Sequence, residues 1–187
     1  MTTPPQEPVR LRNGPWGYGL VTKVLHWSTV AVMAAQFTIG YLLADVSSGR
    51  GRGRGRGSGS GHGRGRGGEY DAFGDDPLFT AHVLLGLTVL ALGLLRLGWR
   101  IATPLPPWAP TLSPFERSLA HWTEYALFAL TLVVPASGLW LLASGDDDLL
   151  GVHITAHVLF FVALALHVGL VARHQLFVRD RLLGRML

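Results

Sequence analysis

Four apolar stretches dominate this chain, each near the ~20 residues that a helix needs to cross a bilayer. They fall at residues 21–43, 78–99, 119–143 and 149–171. In lipid a segment must satisfy its own backbone N–H and C=O groups, and a helix does this alone. The pattern therefore predicts an all-α fold, an integral membrane four-helix bundle. Apolar residues make up 49% of the chain and charged residues only 15%, and the charges are confined to the ends and connections of the apolar stretches. The first stretch is too long for the apolar region of a signal peptide and reads as a retained span. Pro135 and Gly138 lie inside the third, where membrane helices tolerate them and where they favour a bend. The organisation expected is a tail at 1–20, a helical domain at 21–174 and a tail at 175–187.

With four spans, both termini share a side with the 100–118 connection. That side carries ten of the sixteen Lys and Arg residues, and the other side carries six, all in one tract. Asp146, Asp147 and Asp148 also lie on the second side, with no basic residue in their loop. The excess of positive charge predicts both termini in the cytoplasm. Trp16, Trp27, Trp99, Trp108 and Trp122 fall near the predicted membrane edges, as an aromatic belt requires. The formal charge of +4 is then the ordinary signature of basic flanks, and no nucleic-acid partner is expected. The six remaining arginines alternate with glycine over 49–68, within an outer loop at 47–68. This low-complexity run, which includes His62, has no apolar content and is expected to be disordered. On the outer face its arginines would attract small anions.

The chain has no cysteine. This excludes disulfides, cysteine-ligated zinc, iron–sulfur clusters and covalent heme attachment. Histidine remains as a metal ligand, and seven of the eight histidines lie in or beside the spans, where an ionisable side chain is a functional candidate by default. His26 lies near the inner end of the first span, and His82 and His153 lie near the outer ends of the second and fourth. His167 follows His153 by 14 residues, which is roughly 21 Å along a helix and within about 40° of the same direction. Two depth-matched pairs result, His82 with His153 and His26 with His167. Each pair suits axial ligation of one heme iron from both sides. A four-helix bundle offers room for two such macrocycles along its axis. His157, one turn from His153, is an alternative outer ligand. The i, i+4 spacing of His153 and His157 also admits zinc, but Ile154 stands where a zinc hydrolase helix carries glutamate. His121 and His174, with Arg173, lie at the inner edge as candidate quinone or propionate contacts. Lys23, Arg96 and Arg100 are candidate partners of heme propionates, or headgroup anchors.

These pieces resemble the bacterial cytochrome b561 family of four-helix diheme membrane cytochromes. The matching segments are Lys23-Val24-Leu25-His26-Trp27, Ala81-His82 and Leu95-Arg96-Leu97-Gly98-Trp99-Arg100. Ala120-His121-Trp122 with Tyr125, Pro135-Ala136-Ser137-Gly138, His153, Leu166-His167 and His174 complete the set. The likeness runs from about Tyr18 to His174, and the Arg-Gly tract departs from it. It implies two b hemes, held by His26 with His167 and by His82 with His153, in a bacterial inner membrane. In some members it also implies oxidation of superoxide at the outer face and reduction of ubiquinone. In others it implies a membrane anchor that receives electrons from a partner dehydrogenase or hydrogenase. A cofactor-free transporter or scaffold is the alternative of a different class.

Overall fold

A computed structural model describes residues 10–15, 17–47, 74, 76–180 and 182–187. Trp16 and the 49–68 tract, with His62, lie outside the described residues. Four helices form the body: α1 (Leu20–Ser47), α2 (Pro77–Ala102), α3 (Pro114–Ser144) and α4 (Leu149–Arg173). A π-helical turn (His174–Val178) and a 3-10 turn (Leu182–Arg185) follow. All four body helices are long and apolar enough to span a membrane, so the chain is a multi-pass membrane protein.

The helix ends are written in the local sequence. The Asp76 carboxylate accepts from the Leu78 and Phe79 amides at 3.0 and 3.2 Å, and Pro77 opens α2. Such a cap meets amides that have no partner within the helix. Ser113 and Glu116 form a reciprocal capping box, with Pro114 at the first turn of α3. This places the start of α3 five residues before the apolar stretch at 119–143, because a cap can be polar where a hydropathy window cannot. Gly145 ends α3 in the left-handed region, at φ 65°. The helix runs on through buried Pro135 without a break.

α1 packs on α2, α2 on α3 and α3 on α4. α1 meets α4 through Phe37, whose ring lies 5.4 Å from Phe160 and 4.5 Å from Phe161. The buried apolar core is Met33, Val89, Val134, Ala156 and Phe160. Many large apolar residues face outward instead, among them Leu94, Leu95, Trp122, Trp140 and Val158. Between helices in lipid, close backbone approach and internal hydrogen bonds replace the water-driven effect. Buried Thr29, Thr123 and Thr131 accordingly donate to carbonyls four residues back, at 2.6–2.7 Å. Gly93 lets α2 approach α3: a Cβ there would lie 2.9 Å from Leu132 and 3.2 Å from Thr131.

Every described lysine and arginine sits at the end where α1 and α3 begin and α2 and α4 finish. We call this the basic end and its opposite the far end. The last residues strap across the basic end. The indole of Trp27 donates to the Met186 carbonyl at 3.0 Å, and Arg185 donates to the Pro107 carbonyl at 2.8 Å. Lys23 donates to the Leu187 main-chain oxygen.

Candidate functional site

Each helix presents two inward positions fourteen residues apart, and together these make two tiers. They are His26 and Gly40 on α1, Arg96 and His82 on α2, Glu124 and Gly138 on α3, and His167 and His153 on α4. Fourteen residues come close to four full helical turns, so each pair shares a face. The far tier holds His82, His153, Gly40 and Gly138. The basic tier holds His26, His167, Arg96 and Glu124.

In the far tier the rings of His82 and His153 lie 6.4 Å apart, centre to centre, with their planes crossed at 87°. Metal–imidazole bonds are about 2 Å long, so two rings on opposite sides of one iron have centres about 6 Å apart. The centre-to-centre spacing matches that distance. Glycines clear the space for both rings. A Cβ on Gly40 would lie 3.2 Å from the His82 ring, and one on Gly138 would lie 3.0 Å from the His153 ring. The Ser137 hydroxyl has one hydrogen, which it donates to the Val134 carbonyl at 2.8 Å. Towards His153 Nδ1, also at 2.8 Å, it therefore accepts. His153 then carries its proton on Nδ1 and keeps the Nε2 lone pair for a metal. Buried Gln36 from α1 places its amide nitrogen 3.2 Å from His82 Nδ1, while its Oε1 is buried without a hydrogen bond. The same amide nitrogen lies 3.4 Å from His82 Nε2, so with its two amide termini exchanged Gln36 can accept from whichever ring nitrogen carries the hydrogen. His157 packs instead against Phe37, with ring centres 5.2 Å apart, and lies beside His153 at 4.3 Å.

In the basic tier Arg96 reaches His26 Nδ1 at 3.3 Å and lies over the Phe128 ring at 5.0 Å. An arginine only donates, so His26 accepts here through Nδ1. Ligation through Nε2 would put a hydrogen on Nδ1 and break this contact. His167 stands within electrostatic range of His26, Arg96 and Glu124. The guanidinium of Arg100 pairs with Glu124 at 3.1 Å. Tyr18, just before α1, has its phenol pKa raised by burial first and by the Glu124 carboxylate second, so it stays neutral.

The contacts expected at the edge are mostly committed within the chain. His174 is fully buried. Its Nδ1 faces Asp180 at 2.7 Å and its Nε2 faces Glu116 at 3.3 Å, so a carboxylate lies against each nitrogen. A quinone carbonyl at His174 would have to displace Glu116 or Asp180. Arg173 pairs with Glu116, and Lys23 serves the terminal strap. His121 is exposed on the bundle perimeter, with Tyr125 at 4.7 Å and Trp122 at 5.7 Å. Gln36, Glu116 and Glu124, which sequence reasoning passed over, and Ser137, named there only within a matching segment, contact the histidines or lie within their electrostatic range. Glu124 carried a signal, since a carboxylate inside an apolar span is a functional candidate by itself.

The family model described as prokaryotic cytochrome b561 matches residues 17–187. The chain is similar to cytochrome b562 of Cereibacter sphaeroides, at 34% identity over 57% of this chain and 65% of that protein. It is also similar to cytochrome b561 homolog 2 of Escherichia coli K12, at 22% identity over 72% of this chain and 59% of that protein. The matches thus span somewhat under two thirds of the length of these relatives. The chain belongs to the prokaryotic cytochrome b561 family and is a four-helix membrane bundle whose family implies bound heme.

Proposed function

We propose that the bundle holds two b hemes, one between His82 and His153 and one between His26 and His167, and passes electrons from a far-end donor to the quinone pool. The observation that carries this reading is the far tier: two rings 6.4 Å apart, one with its tautomer fixed by Ser137 and both cleared by glycines. Bound hemes supply reversible one-electron exchange. The chain's own residues supply position and environment. Gly40 and Gly138 leave room for the rings. Met33, Val89, Val134 and Phe160 fill the interior with apolar bulk. Arg96 would be the residue to pair with a heme propionate, on leaving His26. Under this reading the basic end faces the cytoplasm of a bacterial inner membrane, and the quinone binds near it. His121 is the histidine with open access there, while Arg173 and His174 become available only if the Glu116 cluster opens. Superoxide is the donor that the resemblance suggests, and a partner dehydrogenase or hydrogenase is the alternative donor.

Alanine at each ligand tests the assignment. His26→Ala, His82→Ala, His153→Ala and His167→Ala each lose one heme per chain, and His157→Ala keeps both. Loss of heme on replacing His157 with retention on replacing His153 would exchange the two. Superoxide alone reduces the hemes if it is the donor. Reduction that waits for an added dehydrogenase assigns the chain to a larger assembly.

A further inference from the structure

The two tiers share a register and a pair of histidines, and they differ in charge. In the far tier the neighbours of the histidines are neutral: Gln36 beside His82, Ser137 beside His153, and the glycines at 40 and 138. In the basic tier a guanidinium stands at the corresponding position on α2, and Arg96 lies 3.3 Å from His26. Glu124 answers part of this charge, but its close contact is with Arg100, at 3.1 Å, so it offsets that arginine first. A positive charge near a redox centre stabilises the reduced form, and inside a bundle the effect is weakly screened. Charges in aqueous loops are screened over about 8 Å at physiological salt and weigh less.

We propose that Arg96 makes the basic-end histidine pair the site of higher reduction potential, so that an electron arriving at the far pair moves downhill towards the basic end. The proposal rests on the two-heme reading above. One electron leaves the far centre, which is oxidised, and the basic-end centre is reduced by that electron. The electron comes from a one-electron donor at the far face. Two successive transfers, with two protons, reduce one quinone at the basic end. The charge of Arg96 acts through space and does not need its present contact with His26.

Spectroelectrochemical titration of the detergent-purified holoprotein tests this, with His153→Ala and His26→Ala backgrounds identifying the basic-end and far centres. The expected result is two steps, with the basic-end centre at the higher potential. Arg96→Gln should lower that step alone and narrow the gap, and Arg96→Lys should restore most of it. Glu124→Gln should raise the same step and leave the far step in place. An unmoved basic-end step in Arg96→Gln, an equal shift of both steps, or a far centre that titrates higher in the unmodified protein would overturn the proposal. If Arg96→Gln loses heme, Glu124→Gln decides it: the absence of an upward shift overturns the assignment. A heme count other than two in the unmodified protein is a different failure, that of the two-heme reading.

Discussion

A histidine that binds metal uses one ring nitrogen for the metal and the other for its protein partner, and the partner decides how well the first one binds. His153 shows this clearly, because Ser137 spends its only hydrogen on Val134 and must accept from the ring. Ser137→Ala is expected to weaken heme retention by about 10–100-fold, the usual cost of losing such a support. Heme-to-protein ratio after dilution or competition with apomyoglobin measures it, and unchanged retention would mean that Ser137 does not support the ligand. The histidines themselves were legible in the sequence, since an imidazole in an apolar run is costly to bury unless it has a ligand or partner to bind. Their supports were not. Serine and glutamine inside a membrane helix often just hydrogen-bond locally, and only the packed helices show Ser137 and Gln36 at a ring. His174 went the other way. The sequence left it open to a quinone or to headgroups, and Glu116 and Asp180, brought in from α3 and from the chain beyond α4, lie against its two nitrogens.

Among the elements, small residues govern how close the helices come and where rings fit. A side chain at Gly138 collides with the His153 ring, which a Cβ would already meet at 3.0 Å. Gly138→Val should therefore cost one heme while α-helical content by circular dichroism is kept. Loss of both hemes or of the helices would show that Gly138 serves the whole bundle. Gly93 has the second effect, since its Cβ would press on Leu132 and Thr131. Gly93→Leu should lower stability by about 1–3 kcal/mol through overpacking, read as a fall in melting temperature. The spans were readable from hydropathy alone, and their count and order match. Their starts were less so: α3 begins at Pro114 under the Ser113 cap, a polar signal that an apolar window discards. The fourteen-residue register was visible in α4 from two histidines. On α1 and α2 the other member is a glycine or an arginine, and on α3 the pair is a glutamate and a glycine, which no search for histidine finds.

For the whole molecule, the segregation of charge connects topology, orientation and direction of electron flow. If the basic end faces the cytoplasm, the α3–α4 loop lies outside. The chain has no cysteine, so a single introduced one reports its side without interference. Ser144→Cys should react with an impermeant maleimide in intact spheroplasts, and Ser118→Cys should react only after lysis. The reverse pattern would invert the orientation and with it the face that meets the donor. The central claim is more basic than orientation: paired histidines in two tiers hold two b hemes. The reduced-minus-oxidised visible spectrum of the purified chain, with pyridine extraction for heme type and count, tests it most directly. The account predicts a b-type spectrum and two hemes per chain. A preparation expressed with ample heme that binds none, or whose count is one and is unaffected by replacing either His82 or His153, would contradict it.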